Sequence, residues 1–153
     1  TNCSNNYGPR QHDEKLIPTV IRNAIHGNEI PIYGNGKNIR DWIFVEDHCD
    51  GIYLALTTGG LGESYCFGGN CEKENIDIAN IICEILDRIN PRDDNKSYKE
   101  QIAFVQDRLG HDQRYAIDDS KASDNLGYVR EKSFEERIDQ TIRWYLNKYK
   151  NNS

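Results

Sequence analysis

The chain predicts an α/β fold, because runs of helical apolar spacing alternate with short β-branched runs and glycine-containing turns separate them. Its length of 153 residues fits one domain with a real core, and 37% of its residues are hydrophobic. No run approaches the ~18 apolar residues of a membrane-spanning helix, and no internal repeat or low-complexity tract is visible.

Asn5 and Asn6, ahead of the Tyr7-Gly8-Pro9 turn, read as a polar loop rather than a packed strand, either an ordinary surface loop or a ligand loop. Asn side chains bond nearby backbone, and Pro9 moves Gly8 away from helical angles. Residues 16–26 predict a helix with Ile17, Val20, Ile21, Ala24 and Ile25 on one face. Pro18 is tolerated in its first turn and Gly27 ends it. Ile30 to Tyr33 predicts a short strand, closed by the Gly34-Asn-Gly36 turn. Asp47 to Thr58 predicts a second helix, with Ile52, Leu54, Ala55 and Leu56 mostly buried and Gly59-Gly60 as its stop.

Ser64 to Phe67 reads as a strand. Asn75 to Ile89 carries the widest apolar stripe, through Ile78, Ile81, Ile82, Ile85, Leu86 and Ile89. Residues 91–99 are polar and read as an exposed loop, followed by a strand from Ile102 to Val105. Ser120 reads as the cap of a short helix that Gly127 ends. Ser133 and Glu136 form a capping box for a last helix that buries Ile138, Ile142, Tyr145 and Leu146. The charged runs Glu131-Lys132 and Lys148 to Lys150 read as solvated faces.

A net charge of −6 argues against nucleic acid as a partner. A small phosphate-bearing ligand is compatible, since a few placed arginines suffice. The five cysteines (Cys3, Cys49, Cys66, Cys71, Cys83) are odd in number and scattered, which fits a reducing cytoplasm. Cys66 and Cys71 lack a second pair or a spaced His, so they read as small buried hydrophobes rather than zinc ligands. No signal peptide is visible, and the chain begins at Thr1 without any Met.

Six blocks in order carry a resemblance. Ser4-Asn-Asn-Tyr-Gly-Pro9 with Glu14-Lys-Leu-Ile-Pro18 opens it, and Pro31-Ile-Tyr-Gly-Asn-Gly36 follows. Then come Ile39-Arg-Asp-Trp-Ile-Phe-Val-Glu-Asp-His48, Gly62-Glu-Ser-Tyr-Cys-Phe-Gly-Gly69 with Glu72-Lys-Glu-Asn75, Asp107-Arg-Leu-Gly-His-Asp112 and Arg114-Tyr-Ala-Ile-Asp118. Together they resemble the C-terminal half of the dTDP-glucose 4,6-dehydratases, extended short-chain dehydrogenase/reductases with a Rossmann lobe for NAD. The resemblance implies conversion of dTDP-glucose to dTDP-4-keto-6-deoxyglucose in deoxysugar biosynthesis, by a cytoplasmic homodimer without membrane attachment. It also implies that residues 1–153 are one partial unit. About 1–13 and 40–70 would pack on an N-terminal Rossmann core outside this sequence, leaving Trp42, Phe44 and Ile52 exposed without it.

By the same resemblance Asn5, Lys15, Leu16, Pro31, Ile32, Tyr33, Arg40, Asn75, Arg108 and His111 bind the nucleotide-sugar, and Asn6 meets the cofactor. Arg40 and Arg108 fall on the diphosphate positions, where a bidentate fork suits the anion. Two explanations compete for each: diphosphate, or an ion pair with adjacent Asp41 or Asp107. Ile32 and Tyr33 likewise divide between a base pocket and plain strand core. Leu109 stands where the family usually has Pro, which frees a backbone donor and loosens that loop.

No catalytic residue is expected in this chain. Gly34-Asn-Gly36 has Ile39 where a dinucleotide turn needs its third glycine, and no apolar helix follows it. Tyr128 and Lys132 match the family's Tyr-x-x-x-Lys spacing, but a helix stop precedes them and a helix cap follows. The rival readings are another sugar-nucleotide enzyme of the superfamily (a UDP-glucose dehydratase, decarboxylase or epimerase) and a non-catalytic nucleotide-sugar-binding module.

Overall fold

One strand, rather than any helix, organises the molecule. In a computed structural model, which describes residues 1–150, β1 (Asn2–Cys3) and β2 (Asn5–Tyr7) lead into α1 (Leu16–Ile25), β3 (Ile30–Tyr33), β4 (Ile39–Phe44) and α2 (Val45–Thr58). There follow β5 (Cys66–Phe67), β6 (Glu72–Glu74), α3 (Asn75–Ile89), a 3-10 turn (Tyr98–Gln101), β7 (Ile102–Val105), β8 (Arg114–Tyr115), α4 (Ser120–Leu126) and α5 (Phe134–Lys150). The α/β class is thus as the alternating periodicities require.

β4 is the organising strand. Its first half, Ile39 to Asp41, lies between antiparallel β6 and parallel β8, and its second half, Trp42 to Phe44, pairs in parallel with β2. β1 pairs with β5 and β3 with β7, both in parallel. Trp42 and Phe44 point into a large core with Tyr7, Ile17, Ile32, Ile78, Ile82, Ile138 and Tyr145. Ile43 points into a smaller one with Tyr65, Phe67, Leu126 and Tyr128. Burial on both faces is what a parallel strand needs, and period two divides its side chains between the cores.

The strong helical stripes behave as their spacing demands. Ile17, Val20, Ile21 and Ala24 of α1, Ile78, Ile82 and Leu86 of α3, and Ile138, Ile142, Tyr145 and Leu146 of α5 are buried, and the three helices pack on one another. Gly127 ends α4 in the left-handed region. α4 begins at Ser120, one residue past its N-cap Asp119, so Ser120 is its first residue and not its cap; its backbone N–H donates to Asp118 Oδ1. The capping box of α5 forms: Ser133 N donates to Glu136 Oε2 at 3.0 Å and Glu136 N donates to Ser133 Oγ at 3.3 Å. Ser133→Ala is therefore expected to lower stability by about 1 kcal/mol, read from urea unfolding.

Several expectations are corrected. Asn5–Tyr7 is a strand, because β4 supplies the parallel backbone partners that local Asn chemistry does not reveal. Trp42 and Phe44 are buried, since Tyr7 lies edge-on against both and is itself packed on Phe134. α2 starts at Val45, with Asp47 and Gly51 facing inward. Leu54 and Ala55 are half-buried, whereas Ile52 and Leu56 are 42% and 82% exposed. Together with Cys49 and Tyr53, those two form an outward apolar stripe at spacings of three and four. Cys66 and Cys71 are half-buried and Cys49 is exposed. In the 91–99 loop, Tyr98 is buried and bonded to Asn90. Lys148 is not free in solvent but donates to Asp13 at 3.0 Å.

α5 also sends a charge inward. Arg137 Nη2 donates to Asp47 Oδ1 and Nη1 to Glu46 Oε2, each at 3.1 Å, with the guanidinium 4.2 Å from the Phe44 ring centroid. Only 8% of the Arg137 side chain and 6% of Asp47 meet solvent. Burial raises the Asp47 carboxyl above the usual Asp range, while Arg137 opposes the shift. Among the described residues no helix is long and apolar enough to cross a membrane.

Candidate functional site

Where β4 changes partners, a cleft of about 430 Å³ opens. β2 contributes Asn5 and Asn6, the entry to α1 contributes Lys15 and Leu16, and β3 contributes Pro31 and Tyr33. Arg40 comes from β4, Asn75 from the first turn of α3, and Arg108 and His111 from the loop between β7 and β8. Residues up to 106 positions apart in sequence thus meet on one surface. Of the residues named from the sequence, Ile32 alone stays out. It is 1% exposed and turned into the large core, because Ile30 and Ile32 take the inner face of β3 and leave Pro31 and Tyr33 to the cleft. What Ile32 can offer a ligand is backbone.

Neither adjacent aspartate forms an ion pair with its arginine. Asp41 is buried and turned away, accepting from the backbone N–H groups of Gly69 and Cys71 at 2.8 Å each. Gly69 is required there, since a Cβ would stand 1.8 Å from the Trp42 carbonyl oxygen. Arg40 instead donates to the carbonyls of Ile39 (2.7 Å) and Asp112 (2.9 Å). Asp107 accepts from His111 Nδ1 at 2.7 Å and from the Arg108 backbone N–H at 2.8 Å, not from the Arg108 guanidinium. That guanidinium lies 5.1 Å from the centroid of the Tyr33 ring. Among the described residues neither arginine forms an ion pair with a carboxylate, so two cations face one cleft.

The helix ends add to this. α1 and α3 both begin at the cleft, and helix N-termini favour anions. The first two N–H groups of α3 are already bonded to Asn38 and Gly36 carbonyls. What α3 offers is therefore its dipole and the Asn75 side chain. Tyr33, 42% exposed, presents an aromatic face beside the cations.

Asn6 reaches the cleft but its carboxamide is occupied. Nδ2 donates to the Ser4 carbonyl and Cys3 Sγ at 3.2 Å, and Oδ1 accepts from His48 Nδ1 at 2.9 Å. Burial lowers the His48 pKa, which suits a neutral ring in that bond. Gln11, Glu14, Thr19 and Trp42 also line the cleft and were not assigned from sequence. Trp42 was the findable one, since it stands two residues from Arg40 on the same strand face. Gln11 and Thr19 carry no local signal.

Tyr128 sits in the smaller core against Phe67, away from the cleft, and burial pushes its phenol up to about 12, opposite to what a base needs. The Gly34-Asn-Gly36 turn runs from β3 into β4 and so opens no helix for a dinucleotide phosphate. The described residues hold no group of three His, Cys, Asp or Glu side chains placed for a metal ion.

Over nearly its whole length the chain is similar to known proteins. A family model described as GDP-mannose 4,6 dehydratase matches residues 1–141. A dTDP-glucose 4,6-dehydratase from Xanthomonas campestris pv. campestris is 53% identical over 146 residues, covering 95% of this chain and 42% of the relative. The Bacillus anthracis dTDP-glucose 4,6-dehydratase, solved in complex with NAD, superposes with a TM-score of 0.85 at 39% identity, covering 97% of this chain and 44% of that one. The Streptomyces venezuelae dTDP-glucose 4,6-dehydratase, also solved with NAD bound, gives a TM-score of 0.84 at 40% identity, over 95% and 42% of the two chains. The chain therefore spans well under half the length of the relatives it matches.

Proposed function

The chain belongs to the GDP-mannose 4,6-dehydratase family, and from that premise we propose that it is the nucleotide-sugar-binding part of an NAD-dependent dTDP-glucose 4,6-dehydratase. The observation that carries the reading is the pair of guanidinium groups, Arg40 and Arg108, without carboxylate partners beside the exposed Tyr33 ring. Two cations suit a diphosphate with two charges, and an aromatic face suits a pyrimidine. Asn5, Lys15, Leu16, Pro31 and Asn75 complete the wall, with Arg40 fixed by backbone carbonyls so that little side-chain freedom is lost on binding.

NAD supplies hydride chemistry to such enzymes. The residues present do not make a cradle for the dinucleotide phosphates, so that task falls to the rest of the enzyme. The exposed stripe of Cys49, Ile52, Tyr53 and Leu56, with β1 paired on one edge only, is the surface on which that Rossmann core would pack, along about 1–13 and 40–70. A cytoplasmic homodimer is the assembly we propose. Five cysteines without a disulfide among the described residues support the reducing compartment.

Calorimetric titration of dTDP-glucose into this chain tests the reading. Binding is expected, and UDP-glucose should bind within about tenfold, since thymine and uracil differ by one methyl worth ~1 kcal/mol. Absence of heat with either ligand overturns it. The chain incubated with dTDP-glucose and excess NAD is expected to form no 4-keto product, and turnover above a mock preparation would relocate catalysis into this chain.

A further inference from the structure

The cleft holds a histidine that is badly placed to touch a ligand. His111 has 5% of its side chain exposed and both ring nitrogens engaged, Nδ1 with Asp107 Oδ1 at 2.7 Å and Nε2 with Arg108 Nη2 at 3.1 Å. A guanidinium nitrogen can only donate, so Nε2 must accept and the proton must sit on Nδ1, donated to Asp107. Asp107 is seated in turn. Its carboxylate fills the space a Cβ would take at Gly34, where an added Cβ would stand 2.8 Å from Oδ2, and Gly34 has a φ of 57°.

We infer that Asp107 and His111 are positioning residues for Arg108, with neutral His111 holding the guanidinium beside Tyr33 so that its free edge faces the diphosphate. The inference rests on the proposed nucleotide-sugar reading of the cleft and assigns His111 a part other than direct contact with the anion. Protonation of His111 would place an N–H where Arg108 needs a lone pair, and the two cations would separate. Acid therefore loosens the grip, although an added positive charge alone would tighten it. The two roles give opposite signs.

The charged and titratable groups on this surface are Arg108 on the same loop, Tyr33 on β3, Arg40 on β4, and Glu14 and Lys15 at the start of α1, with Asp107 bonded to His111 beneath it. Residue types other than His ordinarily titrate outside pH 5.5–7.5. The hydrogen bond from His111 holds the Asp107 carboxyl below the usual carboxylate range, so it stays ionised across that window. His48 behind Asn6, and His12 at 3.7 Å from Glu14, are the other histidines within reach.

The probe is dTDP-glucose, whose diphosphate is esterified at both ends and does not titrate in this window. Affinity is measured by calorimetry from pH 7.5 to 5.5 for the wild-type chain and for His111→Gln. Gln keeps a donor for Asp107 and an acceptor for Arg108 but cannot take up a proton. Wild-type affinity is expected to fall several-fold, up to about tenfold, between pH 7.5 and pH 5.5. His111→Gln, whatever its affinity at pH 7.5, should bind equally well at pH 5.5. A wild-type affinity that is flat or rises with acid overturns the inference, as does an equal acid loss in His111→Gln. Arg108→Ala separates the two levels. Unchanged binding by that variant overturns the diphosphate reading and this inference with it, whereas weakened binding beside a flat wild-type profile overturns the inference alone.

Discussion

Replacing Arg108 with alanine is expected to weaken dTDP-glucose binding roughly ten- to hundredfold, the equivalent of a charge-assisted pair worth ~1.5–3 kcal/mol. The guanidinium has no carboxylate to satisfy inside the described protein, so its removal leaves no buried anion behind. The effect should therefore appear in ligand affinity and hardly in stability. Arg108→Lys should recover little, because an ammonium cannot offer a planar fork or lie flat against Tyr33. NAD affinity, measured in the complete enzyme, should be unchanged. Were Arg108 only a surface group, its loss would cost under ~1 kcal/mol of stability and leave the ligand alone. Equal dTDP-glucose affinities for wild type and Arg108→Ala remove Arg108 from the site.

The largest stability effect is expected far from the cleft, at Arg137. Arg137→Ala leaves Asp47 buried against Phe44 without its countercharge, and breaking such a pair from one side costs about 3–5 kcal/mol. The pH dependence has a definite sign. A carboxyl whose folded pKa is raised contributes stability that is present below the ordinary Asp range and lost as pH rises through the folded value. Removing Arg137 raises that value further. The deficit of Arg137→Ala relative to wild type should then be small near pH 4 and full near pH 7, read by urea unfolding at both. Arg137→Met combined with Asp47→Leu should recover most of the deficit, because neither charge then remains buried. A deficit that is constant with pH would mean that Asp47 is not the group left stranded.

The helices were legible wherever apolar residues recur at helical spacing with nothing else competing, as in α1, α3 and α5. β6 and β8, Glu-Lys-Glu and Arg-Tyr, were not. Their strand character comes from β4 between them, and no apolar alternation announces it. β2 was read as a loop for the same reason: its two asparagines favour turns locally, and only pairing with Trp42, Ile43 and Phe44 overrides that. In α2 the error was one of face. Ile52 and Leu56 look like core in a list of apolar residues, but Asp47 and Gly51 mark the inner side, and Gly51 lies so close to Phe67 that a Cβ would meet its ring at 2.5 Å.

The cleft residues were named through block resemblance, and their arrangement adds what no block contains. That Asp41 and Asp107 are each engaged elsewhere was invisible in sequence, where they simply adjoin the arginines. Ile32 takes the strand-core side of the two alternatives, which a block match cannot distinguish because it does not say which way a strand residue faces.

The strand pairings also set an order of events during synthesis. Asn2 lies beside Cys66, Ile30 beside Ile102 and Ile39 beside Arg114. Each N-terminal strand must thus wait for a partner made much later, and closing such separations is slow. A ribosome that has released residues 1–60 has made Asn5, Tyr33 and Arg40, but neither the partner of β3 nor the Arg108 loop. The binding surface can close only after β8 has emerged, so a nascent chain stalled before residue 114 should fail to retain the nucleotide-sugar while one released past α5 retains it.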